Sequence, residues 1–199
     1  MSQPDYARAW DYVLMRLIQE LPSNLFYHGI HHTRDDVVPA TIRLASLAGL
    51  SETQSLLLKT AGLYHDIGFI EQYEMNEFIA VRIASETLPA FGYTAKQIQW
   101  VKRIILATQM PQSPSEPLEK LMCDADLDSL GREDYFIVSN NLRLEQESRG
   151  IVMTTHEWYE NQLAFLSNHI YFSSEARALR DAGKQKNIEA VRKRLEAII

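Results

Sequence analysis

Apolar residues recur along this chain with the period of a helix, and no stretch alternates apolar and polar positions as a half-buried strand would. From Pro4 to Glu20, the residues Ala9, Trp10, Val13, Leu14, Leu17 and Ile18 fall along one stripe, predicting an amphipathic helix that ends at Leu21-Pro22-Ser23-Asn24. The stretch YHGIHHTRDDVVPA then leads into a helix running to Gly49, with a kink expected at Pro39. Ser51 with Gln54 reads as a capping box for the next helix, and Thr94 with Gln97 repeats the pattern further on. Between them Asn76 is expected to cap a helix that ends near Leu88, just before Pro89. Helices are also predicted over Leu118 to Leu130, Glu133 to Glu147, roughly Thr155 to Tyr171, and Asn187 to Ile199. The run MPQSPSEP, with three prolines in eight residues, predicts a surface loop over a pocket. The fold class expected is all-α.

One predicted helix differs from the rest. Leu56 to Gly68, LLLKTAGLYHDIG, is apolar on nearly every face, which marks it as buried. It ends in His65-Asp66, two polar side chains delivered into the interior, with Gly68 placed to stop the helix. A buried carboxylate without a partner costs several kcal/mol or more, and the C-terminal end of the helix dipole adds negative potential at the same place. The expected remedy is a metal ion beside the pair.

Composition narrows the class without naming it. A chain of 199 residues, 46% hydrophobic and 23% charged, is read as one globular domain spanning 1–199. A net charge of −6 leaves no basic surplus for a dedicated nucleic-acid binder. No apolar run approaches the ~20 residues of a membrane span, and the opening MSQPDYARAW lacks the layout of a signal peptide. The single Cys123 excludes an internal disulfide framework and fits a reducing cytoplasm, the expected location.

Three clusters carry candidate chemistry. In the first, His28 and His32 share a helical face, as do His32 and Asp36, while His31 lines up with Val38, Ile42 and Ala45 and so has the more buried row. Taken alone, that cluster is a solvated histidine-rich turn, and periodicity leaves open whether His31 or His32 points inward. The second is His65-Asp66. In the third, CDADLDSLGR, Asp124 and Asp128 fit an exposed charged face, whereas Asp126 has Met122 and Leu130 four residues either side. Asp126 is therefore the candidate ligand, with Asp124 the substitute if the register differs. Two imidazoles and two carboxylates suit one hard-to-borderline divalent ion, with Mn, Fe, Ni, Co, Zn and Mg all admissible. Such an ion polarises a phosphoryl oxygen and activates a water to attack phosphorus. His156 and His169 are read as structural or exposed.

The order YHGIHHT, LLLKTAGLYHDIGF, LMCDADLDSLGR resembles the HD-domain metal-dependent phosphohydrolases, over roughly Leu25 to Arg149. The resemblance implies an HD-type helical bundle, with additional C-terminal helices (150–199) packed on a core of about 25–149. It implies His32, His65, Asp66 and Asp126 as metal ligands, so that His32 replaces His31, and gives Asp66 a catalytic place too. Similarity to cyclic-nucleotide phosphodiesterases extends to His28, as general acid for the leaving oxygen or as an orienting neighbour of the ligand. Asp36 is a fair partner for His32, and Lys59, Thr108 and Arg132 are candidates to line a phosphate pocket. Many relatives carry further histidines after the doublet, where Ile67 to Ala125 has none and Asn76-Glu77 replaces a His-Glu pair. A mononuclear site is therefore expected. The function implied is hydrolysis of a phosphomonoester or phosphodiester of a nucleotide or similar small phosphate by a metal-activated water. The alternative is a non-catalytic metal- or nucleotide-binding regulatory module on the same fold. The aromatic C-terminal helices either pack within the monomer or form a homodimer face.

Overall fold

A computed structural model describes residues 3–198. Among them the chain forms no strand and nine α-helices: α1 (Tyr6–Glu20), α2 (Val38–Leu47), α3 (Glu52–Tyr64), α4 (Asn76–Thr87), α5 (Ala95–Leu106), α6 (Pro117–Asp126), α7 (Tyr135–Ser148), α8 (Thr155–Asn168) and α9 (Ser174–Glu196). Short 3₁₀ turns follow α3, α4 and α6 at Ile67–Ile70, Leu88–Phe91 and Asp128–Gly131. No described helix is long and apolar enough to cross a membrane.

The centre of the fold is α3. It packs against α1, α2, α5 and α6, and Leu58, Ala61 and Leu63 have no accessible surface. Its start is set locally: the Ser51 hydroxyl accepts from Gln54 N and the Gln54 side chain accepts from Ser51 N, satisfying two of the helix's free N–H groups. With both its faces against other helices, whatever follows Tyr64 is carried into the interior.

Pro39 falls not in a helix interior but at the start of one, behind a π-turn. Residues His32–Val37 form a π-turn in which Val38 N donates to Thr33 O, and Pro39 enters within the first turn of α2. Proline has no N–H to give and its ring collides with the carbonyl four residues back, and a wider turn before it relieves both conflicts. The π-turn also inserts a residue relative to α-helical phase, so the row through Val38 and Ala45 does not extend back to His31. His32 is the buried residue instead, at 3% exposure, and Ile42 of the supposed buried row is 52% exposed.

Two glycines act by absence of bulk. Gly68 is not a left-handed helix stop: it lies in the 3₁₀ turn after α3, where an added Cβ would stand 1.9 Å from the carbonyl oxygen of Asn76. At α9, Gly183 crosses Gly131 so closely that a Cβ would lie 2.0 Å from the Gly131 oxygen. This last helix begins thirteen residues before the expected Asn187. Its opening half is polar and held by polar contacts, with Ser173 capping Ala176 N at 3.1 Å and Arg180 Nε on Asp128 Oδ1 at 2.8 Å. Apolar periodicity had nothing to register there.

An exposed helical glycine replaced by alanine ordinarily gains up to about 1 kcal/mol. Gly183→Ala is expected to reverse that sign and cost about 1–3 kcal/mol, because the methyl meets backbone that cannot swing aside. Urea unfolding of the two proteins measures it; a gain in stability would contradict the crossing described.

Candidate metal centre

Four side chains reach one point from three elements: His32 from the π-turn, His65 and Asp66 from the end of α3, and Asp126 from the last residue of α6. His32 Nε2 lies 3.2 Å from Asp126 Oδ1 and 3.6 Å from Asp66 Oδ2. His65 Nε2 lies 3.2 Å from Asp66 Oδ2 and 3.5 Å from Asp126 Oδ1. His32, His65 and Asp66 are all buried, each offering a ligand atom within 4.8 Å of the others. Ligands about 2.1 Å from a shared ion stand about 3.0–3.5 Å apart when they subtend tetrahedral or right angles. The observed spacings fit that span.

Unmet bonding makes the same point. His65 Nδ1 is 2.8 Å from the Gly62 carbonyl, to which it donates, so that in the neutral ring Nε2 carries a lone pair. That Nε2 and Asp66 Oδ2 are both buried without a hydrogen-bond partner. An acceptor nitrogen facing two carboxylates in a dry space requires a cation or a proton between them. Burial pulls the His65 pKa down, yet Asp66 and Asp126 outweigh it and hold it well above the usual imidazole range. Burial pushes Asp66 and Asp126 upward, while the surrounding imidazoles bring both below the ordinary carboxylate value. The residues present fit a divalent ion.

The flanking acids are not a solvated face, contrary to expectation. Asp124, 1% exposed, accepts from Phe172 N at 2.7 Å and Ser173 N at 2.8 Å, fastening the connection between α8 and α9. Asp128, 3% exposed, receives Arg180 and Arg43 at 2.8 Å. Asp124 is thus committed to backbone, and Asp126 is the carboxylate that meets the histidines. Asp36 pairs with Arg132 rather than with His32.

The three residues expected to line a phosphate pocket have other partners. Lys59 sits over the Tyr6 ring at 4.2 Å, Thr108 donates to the Ile105 carbonyl at 2.8 Å, and Arg132 is clamped between Asp36 and Asp134. The proline-rich loop does border the site: Gln112 Nε2 is 3.4 Å from Asp126 Oδ2. His169 lies against Lys184, and His156 pairs with Glu160.

His28 acquires a partner that sequence reasoning missed. Its Nδ1 is 2.5 Å from Glu145 Oε1, and Glu145 has no accessible surface. The same carboxylate accepts from Tyr27 N, His28 N and the Tyr73 hydroxyl, at 2.8, 3.0 and 2.9 Å. Phe69 stacks on the imidazole at 4.3 Å. Burial lowers the His28 pKa, but the Glu145 hydrogen bond and the charges of Asp66, Glu145 and Asp126 raise it overall. A signal for Glu145 was available, since it continues the inward row Val138–Leu142 of α7 at helical spacing.

No protein-family model, curated protein or solved structure matches the chain. Fold and site define an all-helical domain with a buried His/His/Asp group able to hold a metal ion.

Mn²⁺ at a hundredfold excess over its Kd is expected to stabilise the protein by about 2.7 kcal/mol, read as a rise in Tm. His65→Ala and Asp66→Ala should abolish the rise, and lowering the pH through the imidazole range should weaken it, because ligating imidazoles must be neutral. Asp124→Ala is expected to cost about 1–3 kcal/mol of stability while leaving the Mn²⁺ response intact.

Proposed function

We propose that this chain is a metal-dependent phosphohydrolase of the HD-domain type, acting on a phosphomonoester or phosphodiester of a small, nucleotide-like molecule. One observation carries the reading: a cavity of about 460 Å³ has both Asp126 and His28 in its wall. The four-residue group and the buried imidazole–carboxylate pair therefore open on one space. When bound, a divalent ion supplies Lewis acidity toward a phosphoryl oxygen and lowers the pKa of water there.

The chain's own residues supply the rest. His32, His65, Asp66 and Asp126 are the ligands, and Asp66 and Asp126 together offset the two positive charges of the ion. With Nδ1 engaged by Glu145, His28 has Nε2 for donation to the departing oxygen. Glu145 is a positioning residue: three N–H and O–H donors besides the His28 ring fix its carboxylate, so the ring cannot turn freely. Its charge keeps His28 protonated to higher pH, the state a general acid needs.

Turnover of p-nitrophenyl phosphate or bis-p-nitrophenyl phosphate by Mn²⁺-loaded protein tests the proposal, with Asp66→Ala expected to abolish it. Glu145→Gln is expected to lower kcat about 10–100-fold. It should also move the alkaline limb of the pH profile downward, since the acid form of His28 then persists to a lower pH. Absence of turnover with every admissible ion, alongside tight nucleotide binding, would identify a regulatory module instead.

A further inference from the structure

The cavity beside the metal group has walls of unequal character. α7 contributes Tyr135, Val138 and Leu142 to one side, and α8 contributes Trp158 and Phe165 to the other. Among the described residues that line it, none is lysine or arginine. Three arginines on the neighbouring elements are committed: Arg132 to Asp36 and Asp134, Arg143 to Glu147 and the Met153 carbonyl, Arg180 to Asp128, while Arg149 at the end of α7 lies over the Tyr73 ring. The charged groups in the lining are Asp126 and His28, and His28 is neutralised by Glu145.

Polar groups in the wall include the amides of Gln146, Asn161 and Gln162 beside serine and tyrosine hydroxyls. The Gln162 carbonyl is used up, accepting from the Tyr135 hydroxyl at 2.7 Å and Ser139 Oγ at 3.0 Å, which leaves its NH₂ as a donor. Gln146 Oε1 is buried with no partner, an acceptor without a donor. A wall that offers amide and hydroxyl donors and an unpaired buried acceptor among aromatic and aliphatic surfaces complements an uncharged ring bearing groups of both kinds.

We infer that this cavity takes a monophosphate ester of an uncharged, ring-bearing alcohol of nucleoside size, and disfavours di- and triphosphates. The inference deepens the hydrolase reading and rests on it for the placement of the ester against Asp126 and His28. Its basis is charge. One divalent ion beside two carboxylates carries no net positive charge, so each phosphate beyond the first enters without a compensating cation. Like-charge juxtaposition in a partly dry site costs several kcal/mol, which makes the discrimination about 100-fold or more. The apolar walls and Gln146 add selection for the ring over a small polar alcohol.

Binding and turnover are measured separately on Mn²⁺-loaded protein with adenosine and guanosine mono-, di- and triphosphates and with glycerol phosphate. Calorimetry on the Mn²⁺-loaded protein with non-hydrolysable phosphonate analogues repeats the binding series where cleavage cannot occur. The expected result is a nucleoside monophosphate bound about 100-fold more tightly than its triphosphate and than glycerol phosphate. Gln146→Ala should weaken the nucleoside monophosphate about 10-fold and narrow its advantage over glycerol phosphate by the same factor. Equal or tighter binding of the triphosphate, no binding of any nucleotide, or an unaltered Gln146→Ala protein each overturns the inference. Absence of turnover with the binding preference retained would instead count against the hydrolase reading alone.

Discussion

Two imidazoles and two carboxylates stand within about one ion's coordination distance of one another, three of the four buried, an arrangement that can hold a metal ion and that otherwise needs shared protons to offset its carboxylates. Much of the architecture follows from having to build that point. α3 must be buried on all sides to carry His65-Asp66 inward, and the side-chain-free Gly68 lets the chain turn immediately afterwards against α4. The π-turn ahead of Pro39 sets His32 facing the same centre. Each of these features would be an expense in an ordinary helical bundle, and here they converge.

The acidic segment after Cys123 illustrates how one short stretch serves three purposes. Asp124, Asp126 and Asp128 alternate with single residues, but α6 ends at Asp126 and a 3₁₀ turn begins at Asp128, so the side chains leave in different directions. One ties down backbone before α9, one joins the histidines, and one is neutralised by two arginines. The structural pair holds the C-terminal helices against the very segment that delivers the ligand. Stability and site geometry are coupled through neighbouring residues.

Electrostatics around the cavity are economical. His28 and Glu145 compensate each other, the ligand carboxylates offset the ion, and the surrounding arginines are absorbed in ion pairs. What is left to recognise a ligand is shape, apolar surface and amide hydrogen bonding. These select for the body of a molecule more than for its charge.

The helices were legible in the chain because their periodicity and caps are local properties. The capping boxes at Ser51 and Thr94 formed as read, and the all-round apolar character of α3 correctly placed it at the centre. The burial of the His65-Asp66 pair was legible for the same reason. Long-range decisions were not visible. Which acid of the trio turned inward depended on where α6 stopped, and the burial of Asp124 and Asp128 on partners 48 and 52 residues away. The choice between His31 and His32 depended on a π-turn that breaks helical phase, and the place of Arg132 on an acid 96 residues distant. Local backbone preference is written in neighbouring residues; the partner of a buried charge is settled only when distant segments compete for it in the folded interior.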